Sequence, residues 1–174
     1  MPMEQGHDWS DVSFQQLVGY ALASGVILWL AHTGQQWVYV IDSANLAFHE
    51  AGHLIYGVLG HRMALYGGTL GQLTFPLIAA WVFYRQRKTA SLGVAMLWLG
   101  ENFFNIARYM ADARAQVLPL VGGGDHDWTE IFSPWGVLAS DTLLAGLVRL
   151  LGWVIILGTL WWLWRRSHAS ANLS

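Results

Sequence analysis

The chain has 174 residues, of which 55% are hydrophobic and only 11% charged, with a net charge of -2 and a mean hydropathy of +0.38. A soluble domain carries about 25% charged residues, so this chain lacks the polar surface to cover itself and reads as a single all-α, polytopic membrane domain over residues 1–174. There is no cysteine, which excludes disulfides and a thiolate nucleophile, and the charge gives no sign of a nucleic-acid partner.

Residues 1–11 carry Glu4, Asp8 and Asp11 with no basic stretch, so they are expected outside the bilayer and not as a cleaved signal peptide. A spanning helix needs about 20 apolar residues, and residues 14–33 supply the first. A second helix is expected over 37–59, carrying Asp42, which reads best as an exposed acid near the helix start. The apolar segment 63–68 is too short to span and suggests a short strand or re-entrant piece. Gly67 and Gly71 form a GxxxG pair of the kind that marks close helix packing. The third helix is expected over 69–84, with Pro76 as a kink. The fourth, over 89–110, turns polar in its second half at Glu101, Asn102, Asn105 and Arg108, a stripe that should face the bundle interior. Residues 111–134 form the longest connection, and a fifth, Trp-rich helix over 135–164 carries Asp141 and Arg149, expected to pair with each other. Five alternating spans put Arg85, Arg87, Lys88, Arg165 and Arg166 on one side and the N-terminus with the 111–134 loop on the other. The positive-inside rule then gives an outside N-terminus and a cytoplasmic C-terminus.

The chemistry concentrates at His49-Glu50-Ala51-Gly52-His53 in the second helix. On a helix the two histidines fall one turn apart on one face, as two zinc ligands require, and Glu50 can act as general base on water at the metal's open position. The match has a chance frequency of about one in a hundred in a chain of this size. Three ionisable groups in a membrane helix are costly and usually mark function. A catalytic zinc takes a third protein ligand, and Asp112, His126, Asp127 and Glu101 are the candidates, all downstream. Asn105 or Arg108 could stabilise the oxyanion.

Residues 48–54, with Gly60 and Gly67-Gly68 following, resemble the site-two protease type of intramembrane zinc metalloprotease. The resemblance implies His49 and His53 as ligands, Glu50 as base and Asp112, after the Asn105 stretch, as third ligand. It implies a three-helix core, a Zn2+ cofactor and a transmembrane peptide as substrate. The segment between Gly60 and Gly68 corresponds to a substrate-facing hairpin. The stretch from 122 to 128 resembles a His-Asp-Trp element of small bacterial membrane proteins with the same HEAGH segment, which points to a bacterial cytoplasmic membrane. Intramembrane peptide hydrolysis is therefore the first expectation. Zinc-dependent hydrolysis of lipid amides or esters is the second, and a non-catalytic metal-binding membrane scaffold the third. The sequence names no oligomeric state.

Overall fold

The computed structural model describes residues 9–121 and 124–171. The expectations for Glu4, Asp8, Gly122 and Gly123 lie outside the described residues. The described elements are helical: α1 (Phe14–His32), α2 (Tyr39–Gly57), α3 (His61–Arg85), α4 (Thr89–Ala111), the short α5 (Asp127–Phe132), a 3-10 turn (Leu138–Ser140) and α6 (Asp141–Ala171). Two segments, Phe14–His32 and Leu138–His168, are long and apolar enough to cross a membrane.

Local sequence explains the boundaries. Ser13 and Gln16 form a reciprocal capping box at the start of α1, the Gln16 amide donating to Ser13 Oγ at 3.2 Å and the Ser13 amide to Gln16 Oε1 at 2.9 Å. Gly60, at φ 114°, takes a conformation that favours glycine and turns the chain directly into α3. Residues 63–68, expected as a strand or re-entrant piece, are therefore the first turns of α3. The GxxxG pair packs as expected: a Cβ on Gly71 would lie 2.3 Å from the Phe48 carbonyl oxygen, and one on Gly52 2.1 Å from that of Gly67. Only glycine at these positions lets the α2 and α3 backbones touch. Pro76 is buried inside α3, and the helix continues through it.

The bundle is built around α4. Helix α1 runs parallel to it: Tyr20 Oη donates to the Ala90 carbonyl at 2.7 Å, and His32 packs edge-on to Phe104 at 5.1 Å between ring centroids. Helix α6 runs the other way, with Leu163 against Gly93 and Gly152 against Phe104. Helix α3 is also antiparallel to α4, since Gln72 reaches Asn105 while Ala80 packs with Leu92 and Ala95.

Helix α2 departs from the expected alternation. Val38, just before it, packs with Leu97 and Phe104 at mid-depth, and its far end lies beside the start of α3, where Gly57 meets Ala64. The turns on both sides of α2 border one cavity, which Gly34, Trp37, His61 and Ala64 help to line. The helix therefore enters and leaves at the same end of the bundle. This shifts the expected register of sides. Trp9 and Ser10 do not sit opposite the basic clusters but among them: Ser10 N donates to the Arg87 carbonyl at 3.0 Å, and the Arg87 and Arg166 guanidinium groups lie 5.1 and 5.3 Å from the Trp9 ring centroid.

Candidate metal centre

At the end of the bundle where α4 stops, His49 and His53 from α2 meet Asp127 from α5. Nε2 of His49 lies 2.9 Å and Nε2 of His53 3.3 Å from the same oxygen, Asp127 Oδ2. The other ring nitrogens are held from behind. His49 Nδ1 donates to Gln72 Oε1 at 2.9 Å, and His53 Nδ1 donates to the Ala64 carbonyl at 2.8 Å. Neither oxygen can donate, so each Nδ1 carries a hydrogen, and Nε2, which donates to Asp127 when the imidazole is protonated, is the atom left to bind a metal. Metal-binding histidines are oriented in this way by their supporting hydrogen bonds. Burial pushes the Asp127 carboxyl up, but the hydrogen bonds from His49 and His53 outweigh it and hold the group at about 2, so it is an anion near neutral pH.

A relay of buried side chains supports His49. Gln72 Nε2 donates to Asn105 Oδ1 at 2.8 Å, and Asn105 Nδ2 donates to Asp42 Oδ1 at 2.7 Å. Asp42 is 1% exposed, and its other oxygen accepts the Val38 amide. The expected exposed acid is thus a buried anchor two hydrogen bonds removed from Gln72's contact with the ligand. It is buried because the start of α2 packs on α4, where Val38 meets Leu97 and Phe104 and Asn105 reaches Asp42. Beside this relay Asn45 donates to Glu101 Oε2 at 2.7 Å and accepts from Trp98 and Asn102.

The candidates for third ligand separate cleanly. Asp127 joins the histidines; Asp112 does not. The Asp112 carboxylate caps the loop that follows it, accepting the Val117 and Leu118 amides at 3.0 Å each. Asp112 ends α4, and its side chain turns towards those free amides rather than across to α2. Glu101 lies in the network around Asn45 and away from the ligand pair. His126 is fully buried with neither ring nitrogen in a hydrogen bond among the described residues; its Nε2 is 3.6 Å from Asp112 Oδ2, beyond hydrogen-bond length. Desolvation lowers its pKa, and its ring packs on that of Tyr109 with centroids 4.1 Å apart.

Of the residues expected to act on substrate, Glu50 lines the same cavity as the ligands, a space of about 1310 Å³ that also borders Arg108, Tyr109 and Glu130. Asn105 has both amide atoms committed to the relay. The Arg108 guanidinium lies 5.4 Å from the Trp37 ring centroid, a cation–π contact. Arg149 does not pair with Asp141: its Nη2 reaches Gln36 Oε1 at 3.4 Å, while Asp141 binds Arg114 at 2.7 Å.

Two features escaped sequence reasoning. Gln72 carried a usable signal, being an amide within a largely apolar helix beside the motif. Gly68 belonged to the Gly67-Gly68 pair of the resemblance, but its role was not read: a Cβ there would lie 2.5 Å from His49 Nε2 and 2.7 Å from His53 Nε2, so this glycine keeps those nitrogens clear. Two imidazoles with supported Nδ1 hydrogens, one carboxylate and a space kept open by a glycine make a group that could hold a metal ion. Comparisons with protein-family profiles, curated proteins and solved structures find no match to this chain.

Proposed function

We propose that the protein is a zinc-dependent hydrolase acting within the membrane, with a peptide bond as its substrate. The observation that carries this reading is the convergence of His49 Nε2 and His53 Nε2 on Asp127 Oδ2 with Glu50 on the same cavity. Zinc, when bound, supplies a Lewis acid that polarises a carbonyl and lowers the pKa of water. Gln72 and the Ala64 carbonyl hold the histidines in the tautomer that binds metal. Asp127 completes the set and balances part of the charge. Glu50, the one cavity carboxylate adjacent in sequence to a ligand, takes the proton from the attacking water and returns it to the leaving amine.

The membrane reading rests on the flanks of the bundle. Val40, Leu54 and Val58 are 85%, 78% and 83% exposed, with many other large apolar side chains, an amount that water does not tolerate on a monomer. In this reading α1, α3, α4 and α6 cross the bilayer while α2 lies slanted in one leaflet. Four crossings replace the five expected. Arg85, Arg87, Lys88, Arg165 and Arg166 mark one end as cytoplasmic, together with Trp9, and the metal centre lies towards the opposite face.

The test uses full-length protein in detergent, loaded with zinc and offered a peptide of transmembrane sequence. Wild type is expected to bind one zinc per chain and cleave the peptide. Glu50→Gln is expected to keep the zinc and lose about 10²-fold or more in rate. Cleavage by Glu50→Gln at the wild-type rate would overturn the mechanism, and cleavage of lipid amides in place of peptides would reassign the substrate.

A further inference from the structure

Hydrolysis at such a centre needs a donor for the oxygen that gains negative charge, and the side chains named for it so far already have partners. Asn105 is bonded on both sides by Gln72 and Asp42, Gln72 by His49 and Asn105, and Arg108 is stacked on Trp37. Tyr109 stands in a different position. Its ring packs edge-on to the His49 ring at 5.7 Å between centroids and is backed by the buried His126 ring at 4.1 Å. Its hydroxyl oxygen accepts the backbone amide of Asp127 at 3.3 Å, which places the hydroxyl beside the third ligand. One lone pair is thereby used, and the hydroxyl hydrogen has no acceptor in any hydrogen bond of the described residues. The residue lines the cavity with Glu50, His49, His53 and Asp127.

We infer that Tyr109 is a catalytic residue whose hydroxyl donates a hydrogen bond to the carbonyl oxygen of the bound substrate. The two aromatic contacts fix the ring, and the Asp127 amide fixes the rotation of the O–H about its bond. The hydrogen is then free for an acceptor in the cavity that the residue lines. No proton leaves Tyr109: it donates to the oxygen as charge develops there and remains bonded when the carbonyl is restored. A donor already oriented costs no reorganisation during the reaction. Glu50 handles the proton and Tyr109 the oxyanion, from different helices.

The inference rests on the proposed metal-dependent function, and the test separates the two. Acetohydroxamate, which presents two oxygens to a metal, is titrated into cobalt-substituted full-length protein and followed by the cobalt visible spectrum. Tyr109→Phe is expected to hold one metal per chain, as wild type does, and to bind the hydroxamate about tenfold more weakly, the scale of one lost hydrogen bond. Equal affinity with full metal content would overturn the role of Tyr109 and leave the hydrolase reading standing. Loss of metal from Tyr109→Phe would also overturn it, since the hydroxyl would then serve to position Asp127. Wild type that takes up no cobalt or zinc would end both proposals.

Discussion

Where α1 begins, guanidinium groups lie on aromatic faces; where α4 stops, carboxylates and amides are aimed at two imidazoles. The first end holds Trp9 edge-on to Tyr84 and Trp162 at 5.4 and 5.3 Å, under Arg87 and Arg166. Apart from the hydrogen bonds of Ser10 with Arg87 and Thr89, these are stacking contacts that need no particular hydrogen-bond direction. The second end holds the relay Asp42–Asn105–Gln72–His49, in which every hydrogen bond has a fixed direction. A misdirected hydrogen there leaves a buried group unpaired, at about 1–3 kcal/mol each. One end is expected to tolerate substitution because stacking is geometrically loose. The other fixes two nitrogens in space, as a metal ion held there would require.

The sharpest way to break that contrast is within the second end, by removing its two aspartates separately. Asp127→Ala is expected to weaken zinc binding by more than the about hundredfold that a supporting hydrogen bond contributes. Asp112→Ala should leave zinc bound while lowering thermal stability by about 1–2 kcal/mol, because two loop amides lose their acceptor. Zinc titration and thermal unfolding on both variants decide it. The reverse result, zinc lost from Asp112→Ala and kept by Asp127→Ala, would restore Asp112 as the ligand.

A middle-sized effect tests whether the relay does more than fill space. Gln72→Leu has similar volume but cannot accept from His49 Nδ1, so the imidazole is free to take the other tautomer. Zinc affinity is expected to fall by about 10–100-fold, with helical content by circular dichroism unchanged. Unchanged affinity would show that packing alone orients His49.

How much of this was legible beforehand depends on the kind of information each feature uses. The HEAGH spacing is local, and the structure places His49, Glu50 and His53 on one cavity as that spacing implies. The GxxxG pair is also local, and Gly67 and Gly71 pack where expected. Asp112 and Asp127 illustrate the limit. They are 15 positions apart by their numbers, both are acidic and both follow the polar fourth helix. The choice between them depends on which carboxylate is consumed by nearby amides, and Asp112 has the Val117 and Leu118 amides within its reach. Asp42 looked exposed because its surroundings come from Asn105, 63 residues away. The side on which Trp9 lies was misjudged for a similar reason. The sequence pattern suggests a traversing α2, whereas Gly52, Gly67 and Gly71 lock it closely to α3, and that is a contact between helices.

The smallest expected effect lies at the first end. Trp9→Ala removes two edge-on aromatic pairs and two cation–π contacts, together worth about 2 kcal/mol, and should lower the thermal midpoint by a few degrees. The metal centre is separated from Trp9 by the length of α4, about 1.5 Å for each of its residues, and no hydrogen-bonded chain among the described residues joins the two. Zinc affinity should therefore stay within about twofold of wild type, a change of about 0.4 kcal/mol. A fall as large as that of Gln72→Leu would mean that the ends are coupled through the tilt of α1 against α4, and the division between a stacked end and a directed end would fail. An unchanged affinity at a lowered midpoint fits a bundle whose stability is spread along its length while its metal chemistry is confined to the turns around α2.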